Sequence, residues 1–349
     1  KAMKKAGKVV ELQVKYLKDL TSYFKKSSPL TDFDWGSQDL ARKESIKAST
    51  SDTRTLLLKM CYLCRNLTFH DAQKRTFELH SSDGNGICTL RASDPTTSFD
   101  WFSAIYSNIV TLTKQAIDDA NKMLSSAANP HEISHMGWLS EQLTDEQNTT
   151  VWKRAFMVLL DNDILLYHTS PMSKEDWATP FQCLPLLASR FVLCGKQSSY
   201  VSGADFLTFG IRTGTCNGVE VHIYRVETQR DLTCWSKVLL QGSQQAAIFT
   251  KLVSYSVIWK NKKAKLAIHY DKGFTLREEQ DGPDGPGEVL WAQPFENLRM
   301  SSDDGQRLLW LDFEDIREQE LDLGSCPKPA VFVIHTFLSA KVSRMGHVP

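Results

Sequence analysis

Apolar and polar residues alternate along much of this chain with the two-residue period of half-buried strands, and twice that rhythm gives way to helical spacing around a tryptophan. The pattern predicts a strand at Leu56–Cys64 and a hairpin of Arg75–His80 with Gly86–Ala92, joined by Asp83-Gly84-Asn85-Gly86. Asp94-Pro95 supplies an N-cap and a first-turn proline, and Trp101, Ile105, Ile109 and Leu112 then mark one buried helix face. A second series predicts strands at Ile133–Gln142, Ala155–Asp161, Ile164–His168, Phe181–Val192, Phe206–Thr213 and Val219–Val226. It ends in a capping box, Thr228 with Asp231 in the usual Glu position, opening a helix with Leu232, Trp235 and Leu239. A third series alternates through Leu266, Ile268 and Tyr270, turns at Asp271-Lys272-Gly273, and continues at Val289–Ala292, Arg307–Phe313 and Glu320–Leu323. The last stretch, Ala330–Arg344, is apolar with basic residues at its far end.

The two helical closures match. Arg91 and Arg225 each stand ten residues before the tryptophan, at the end of an apolar strand. A curled antiparallel sheet leaves an open end that an amphipathic helix with a large aromatic residue can plug, so Trp101 and Trp235 are expected as end-plugs. Ahead of these modules, Lys1–Gly7 reads as the last turns of a helix, followed by a strand with Val10, Leu12 and Val14 on one face. Residues 27–53 are rich in Ser, Thr and Asp and read as linker. The fold class expected is α+β, mainly β.

A length of 349 residues suits two or three such domains. A formal net charge of zero argues against a nucleic-acid carrier. The balance is uneven locally: residues 1–26 hold eight lysines against Glu11 and Asp19, and nothing after Asp322 is acidic. No apolar run approaches the ~20 residues of a membrane-spanning helix. Eight cysteines without paired spacing read as reduced, buried thiols, which leaves the sequons at Asn66 and Asn148 unused.

Candidate chemistry is thin. His131-Glu132-Ile133-Ser134-His135 matches the zinc-hydrolase pattern H-E-x-x-H, but that chemistry needs both histidines on one helix face. Here Pro130 precedes, Gly137 follows, and Ile133, His135, Gly137 and Leu139 keep strand parity, so a strand entry is expected. Cys61-x-x-Cys64 lacks a second pair, and on a regular strand its sulfurs point to opposite faces. The acidic run Asp312, Glu314, Asp315, Glu318 and Glu320 lacks EF-hand spacing. No phosphate loop or nucleophile elbow is present, so no catalytic, cofactor or metal residues are assigned and an enzyme is not expected.

Longer motifs carry a resemblance. Gly137-Trp138-Leu139, Trp152–Leu159, Leu165-Leu166-Tyr167 and helical Trp235 resemble a pleckstrin-homology domain. Pro294-Phe295-Glu296-Asn297-Leu298-Arg299-Met300-Ser301-Ser302-Asp303-Asp304-Gly305, Ser325-Cys326-Pro327-Lys328-Pro329 and Phe337-Leu338-Ser339-Ala340-Lys341 resemble the syntrophin-unique region, and Arg212-Thr213-Gly214-Thr215 is similar to a syntrophin segment. Leu58–Tyr62 and Trp101–Ile105 lean toward the beta type.

The resemblance implies residues 1–18 as the end of a PDZ domain, 19–53 as linker, and 54–113 as the second half of a first pleckstrin-homology domain split by that PDZ insertion. It implies a second pleckstrin-homology domain at 131–245 and a β-rich syntrophin-unique region at 293–349. Upstream sequence, including the PDZ carboxylate-binding loop, is then expected to lie outside this chain. The function implied is a non-enzymatic adaptor on the inner face of the plasma membrane, at sarcolemma or cell junctions. It would dock on dystrophin, utrophin or dystrobrevin through the second domain and the unique region. The PDZ domain would recruit channels, kinases and neuronal nitric oxide synthase, and actin is a further implied partner. Calmodulin binding is implied for the unique region, with Val331, Phe332, Ile334, Phe337, Leu338, Lys341 and Arg344 as candidates for a basic amphipathic segment. Glu314–Glu318 stands where the family has a glycine-rich turn. Phosphoinositide binding is implied for the complete first domain. In the second domain Glu141, Asp145 and Glu146 oppose Lys153 and Arg154 around the first hairpin, which favours protein over lipid there.

Overall fold

A computed structural model describes residues 10–12, 56–68, 71–125, 132–144, 146, 148–198, 205–279 and 287–345. Three β-modules follow one another. The first contains β2 (Tyr62–Cys64), β3 (Thr76–His80) and β4 (Ile87–Ala92), closed by the helix α1 (Pro95–Leu124). A short strand β1 (Val10–Leu12) lies parallel to β4, giving the order β1-β4-β3-β2. The predicted hairpin is present, with Thr76 opposite Arg91 and His80 opposite Ile87. The predicted strand at Leu56–Cys64 shortens to its last three residues, because Met60 takes a left-handed conformation (φ 61°) in a tight turn that interrupts pairing. Asp94 caps α1 through Thr97 N–H at 2.8 Å.

The second module is a seven-stranded antiparallel sheet of β5 (Ile133–Thr144), β6 (Thr150–Leu160), β7 (Asp163–Tyr167), β8 (Gln182–Pro185), β9 (Ser189–Ser198), β10 (Asp205–Thr215) and β11 (Gly218–Val226). The order is β8-β7-β6-β5-β11-β10-β9. A one-turn helix α2 (Lys174–Trp177) lies between β7 and β8, and α3 (Gln229–Thr250) closes the module. The stretch predicted as one strand at Phe181–Val192 is broken by a 3-10 turn at Leu186–Ala188 whose three side chains are all buried. The capping box is present: the Thr228 hydroxyl accepts from Asp231 N–H, and the Asp231 carboxylate accepts from Thr228 N–H.

The third module repeats this order: β15-β14-β13-β12-β18-β17-β16. Its strands are β12 (Leu252–Trp259), β13 (Lys262–His269), β14 (Gly273–Glu278), β15 (Val289–Gln293), β16 (Leu298–Asp303), β17 (Leu308–Phe313) and β18 (Gln319–Asp322), and α4 (Lys328–Arg344) closes it. In both complete modules the last strand pairs antiparallel with the first, β11 with β5 and β12 with β18. The unit holding residues 293–349 therefore begins at Leu252: the alternating strands before the loop hydrogen-bond into the same sheet. Gly273 makes one of its corners possible, since its φ is +80° and a Cβ there would lie 2.3 Å from the Gln293 carbonyl oxygen.

Three of the eight cysteines, Cys183, Cys194 and Cys216, are exposed, contrary to the expectation of burial, because they sit on the edge strands β8 and β9 and in the β10–β11 turn. Among the described residues no helix is long and apolar enough to cross a membrane.

Candidate docking unit

The modules are joined by two buried junctions. At the first, β11 ends at Arg225-Val226 and Glu227 follows directly, so two opposite charges two residues apart meet at the covered end of the strand. Arg225 pairs with Glu227 at 2.8 Å, and its guanidinium also donates to the Arg65 carbonyl. Glu227 accepts the Arg65 N–H at 3.1 Å. Burial pushes the Glu227 carboxyl up, opposed by the guanidinium groups of Arg225 and Arg65. The Arg65 guanidinium itself lies 3.5 Å from the centre of the Phe102 ring. Around this pair, Tyr62 shares a 2.6 Å hydrogen bond with Ser140, Trp138 Nε1 donates to the Met60 carbonyl at 2.7 Å, and Tyr106 donates to Asp231 at 2.5 Å.

α1 extends this junction. It runs twelve residues beyond Leu112, the last position of the predicted buried face, and Ala116 and Ala120 pack with Ile133, Met136, Phe156, Val158 and Tyr167. The outer face of β5, β6 and β7 is thus covered by the first module, while Leu139, Met157 and Leu159 face the core under α3.

At the second junction α4 serves two modules. Phe337 stacks edge-on against Tyr270 and Phe295 of its own module, at 5.7 and 6.3 Å. Thr336, next along, donates to the Leu187 carbonyl of the second module at 2.9 Å. At its start α4 abuts β10: a Cβ on Gly214 would lie 2.6 Å from the Lys328 carbonyl oxygen, so that position tolerates no side chain without movement. One continuous cluster of buried residues runs from Leu139 and Trp235 through Ile334 and Phe337 into the third sheet.

These contacts place the predicted residues. Trp235 is buried against His135 (4.4 Å between ring centres) and Phe209, and Trp101 is buried with Leu63, Phe77 and Phe102. Ile334 and Phe337 are fully buried and Phe332 nearly so, Val331 and Leu338 pack against the same core, and Lys341 pairs with Glu296 at 3.5 Å; Arg344 is exposed. His131 lies outside the described residues, while His135 stands in strand β5 and not on a helix. Burial holds the His135 imidazole down at about 4. In the second module Arg154 donates to the Gly84 carbonyl at 2.5 Å, so this cation of the first hairpin is used within the protein. A Cys64, Glu78 and His80 trio lies close enough to suggest a metal, but Glu78 already accepts from Leu67 N–H, Thr68 N–H and the Thr68 hydroxyl. That trio forms part of the polar sheet face at the first junction.

The sequence reading missed Arg65, Arg225–Glu227 and Gly214 as junction residues. The signals were present: a charged pair at i, i+2 closing an apolar strand, and a glycine inside β10 where a close backbone approach is one standing explanation.

The description "PH domain" fits residues 49–107 and 133–244, and "Syntrophin C-terminal PH domain" fits residues 248–347. The human relative beta-2-syntrophin is 41% identical over 99% of this chain and 66% of its own length, and its mouse counterpart is 40% identical over 99% and 68%. Syntrophin-1 of Caenorhabditis elegans is 35% identical over 99% of this chain and 74% of its length. The chain belongs to the syntrophin family. Within that family it leans to the beta type, since human gamma-2-syntrophin is 24% identical. The chain spans about two thirds of the length of beta-2-syntrophin. The third module, matched as a syntrophin PH domain in its own right, contains the stretch that resembled the syntrophin-unique region.

Proposed function

We propose that this syntrophin is an adaptor whose second and third modules act as one rigid docking unit for the tails of dystrophin, utrophin or dystrobrevin. Family membership and the PH-domain modules support an adaptor role. The observation that carries the joint unit is α4, which packs in one buried cluster with both modules and whose Thr336 hydroxyl bonds the neighbouring one. A surface spanning two modules is presented in fixed register only when neither can rotate. The test is capture of residues 132–345 by an immobilised dystrophin C-terminal segment, beside residues 132–250 alone. The two-module piece is expected to bind and the single module to lose most of the affinity; undiminished capture of 132–250 sinks the joint unit.

The remaining roles follow the same reading. The first module is the second half of a split pleckstrin-homology domain, with phosphoinositide binding reserved for the complete domain and PDZ-mediated recruitment of signalling proteins upstream. Actin contact and a place beneath the plasma membrane belong to the assembled complex. Calmodulin binding through Val331–Arg344 is confined to a state in which α4 has left its modules, because its apolar residues are buried where it now lies.

A further inference from the structure

Three segments meet at one corner of the third module: the β13–β14 turn, the α3–β12 corner and the last turn of α4. Tyr270 N–H bonds the Lys251 carbonyl at 2.7 Å, fixing the β13–β14 turn against the α3–β12 corner. Gln244 Nε2 bonds the Ser343 hydroxyl at 2.9 Å, holding the last turn of α4 beside α3. Lys341 Nζ donates to the Tyr270 carbonyl at 3.2 Å, closing the triangle. On this corner Phe249 is 80% exposed, with Met345 at 67%, Leu252 at 50% and Ile248 at 46%. Around them stand Lys251, Lys272 and Arg344, which form no ion pair among the described residues, and Lys341, which pairs with Glu296; Asp271 adjoins Lys272 in the sequence. Large apolar side chains so exposed, within a basic rim, mark an interaction site rather than ordinary surface.

We propose that this corner is a contact point for an anionic bilayer surface, with Phe249 entering the headgroup region and Lys251, Lys272 and Arg344 meeting acidic headgroups. An 80% exposed phenylalanine is a protrusion, with few side walls to grip a peptide. A deformable bilayer closes around such a protrusion, and basic residues near the surface add attraction that falls with salt. The contact is independent of dystrophin docking, which is measured without lipid.

The test is co-sedimentation of the full chain with phosphatidylcholine vesicles, with and without about one-third phosphatidylserine. Binding is expected only to the anionic vesicles and should weaken at high salt. Phe249→Ser is expected to lower it about tenfold, and Lys251→Glu with Arg344→Glu by at least about tenfold. Phe99→Ser, removing an exposed phenylalanine of α1, should leave it unchanged. All four positions are at the surface, and unaltered thermal melting confirms folded variants. Equal binding to both vesicle types, no binding to anionic vesicles, or binding indifferent to Phe249→Ser overturns the proposal. So does a concentration-dependent dimer abolished by Phe249→Ser without vesicle binding, which assigns the patch to a second copy of the chain.

Discussion

At the scale of single residues, His135 shows how a functional-looking motif is spent on packing. Its ring meets Trp235 edge-on, its Nε2 lies 3.8 Å from the Cys234 sulfur, and burial holds it neutral down to about pH 4. The folded protein thus binds a proton there less readily than the unfolded chain does. Stability from the neutral ring is complete above the unfolded value near 6.5 and is lost as pH falls toward about 4. The full span is worth about 3 kcal/mol. Urea unfolding of wild type and His135→Phe between pH 7 and pH 4 should therefore converge in slope only at the upper end, with the variant flatter below about pH 6. A variant as acid-sensitive as wild type removes His135 from the account. The other histidine of the pattern lies outside the described residues, and strand geometry at His135 already separates it from helix-borne zinc chemistry.

At the scale of elements, the sequence exposed what was periodic and concealed what was shared. The β3–β4 hairpin, the Asp94 cap and the Thr228–Asp231 box were legible because each is a local pattern with a local cause. The length of α1 was not, because its second half buries small residues, Ala116 and Ala120, against another module and presents no bulky stripe. Its trace was the unbroken buried run Ala155–Leu159 in β6, since an antiparallel strand with one face in water would alternate. α4 teaches the same lesson. Val331, Phe332, Ile334, Phe337 and Leu338 fit either a calmodulin-binding segment or an ordinary core element by sequence, and a helix apolar on most sides is one enclosed by its own protein. The consequence is measurable. A peptide of residues 327–349 is expected to bind calmodulin in a calcium-dependent way, while the intact chain should bind at least about tenfold more weakly, because α4 must first be extracted from two cores. Equal affinity of peptide and chain contradicts the docked position of α4; a peptide that does not bind removes calmodulin from the proposed partners.

At the scale of the whole molecule, the two junctions differ in kind, and this predicts how the chain comes apart. The second and third modules share one apolar core across α4, so separating them breaks the Thr336–Leu187 bond and splits the buried cluster that links the two sheets. The first module is joined through the α1 packing on β5–β7 and, beside it, a charged network whose burial is tolerable only while every partner is present. Arg225→Ala leaves Glu227 buried without its nearest countercharge, a loss expected to cost about 3–5 kcal/mol. Glu227 then has two ways out: it takes up a proton, or the junction opens and hydrates it. Calorimetry of the full chain should show the second and third modules melting in one transition in both wild type and Arg225→Ala. In the variant the first module should separate as an earlier transition, with amide exchange in β2 and β3 accelerating before that in β13 or α4. Arg225→Ala with Glu227→Gln, which removes the stranded charge, should recover part of the loss. Were the third module to melt apart from the second in wild type, the shared core would not bind them into one unit. The rigid platform proposed for dystrophin-family tails would then lose its physical basis, because two independently melting modules cannot hold a joint surface in register.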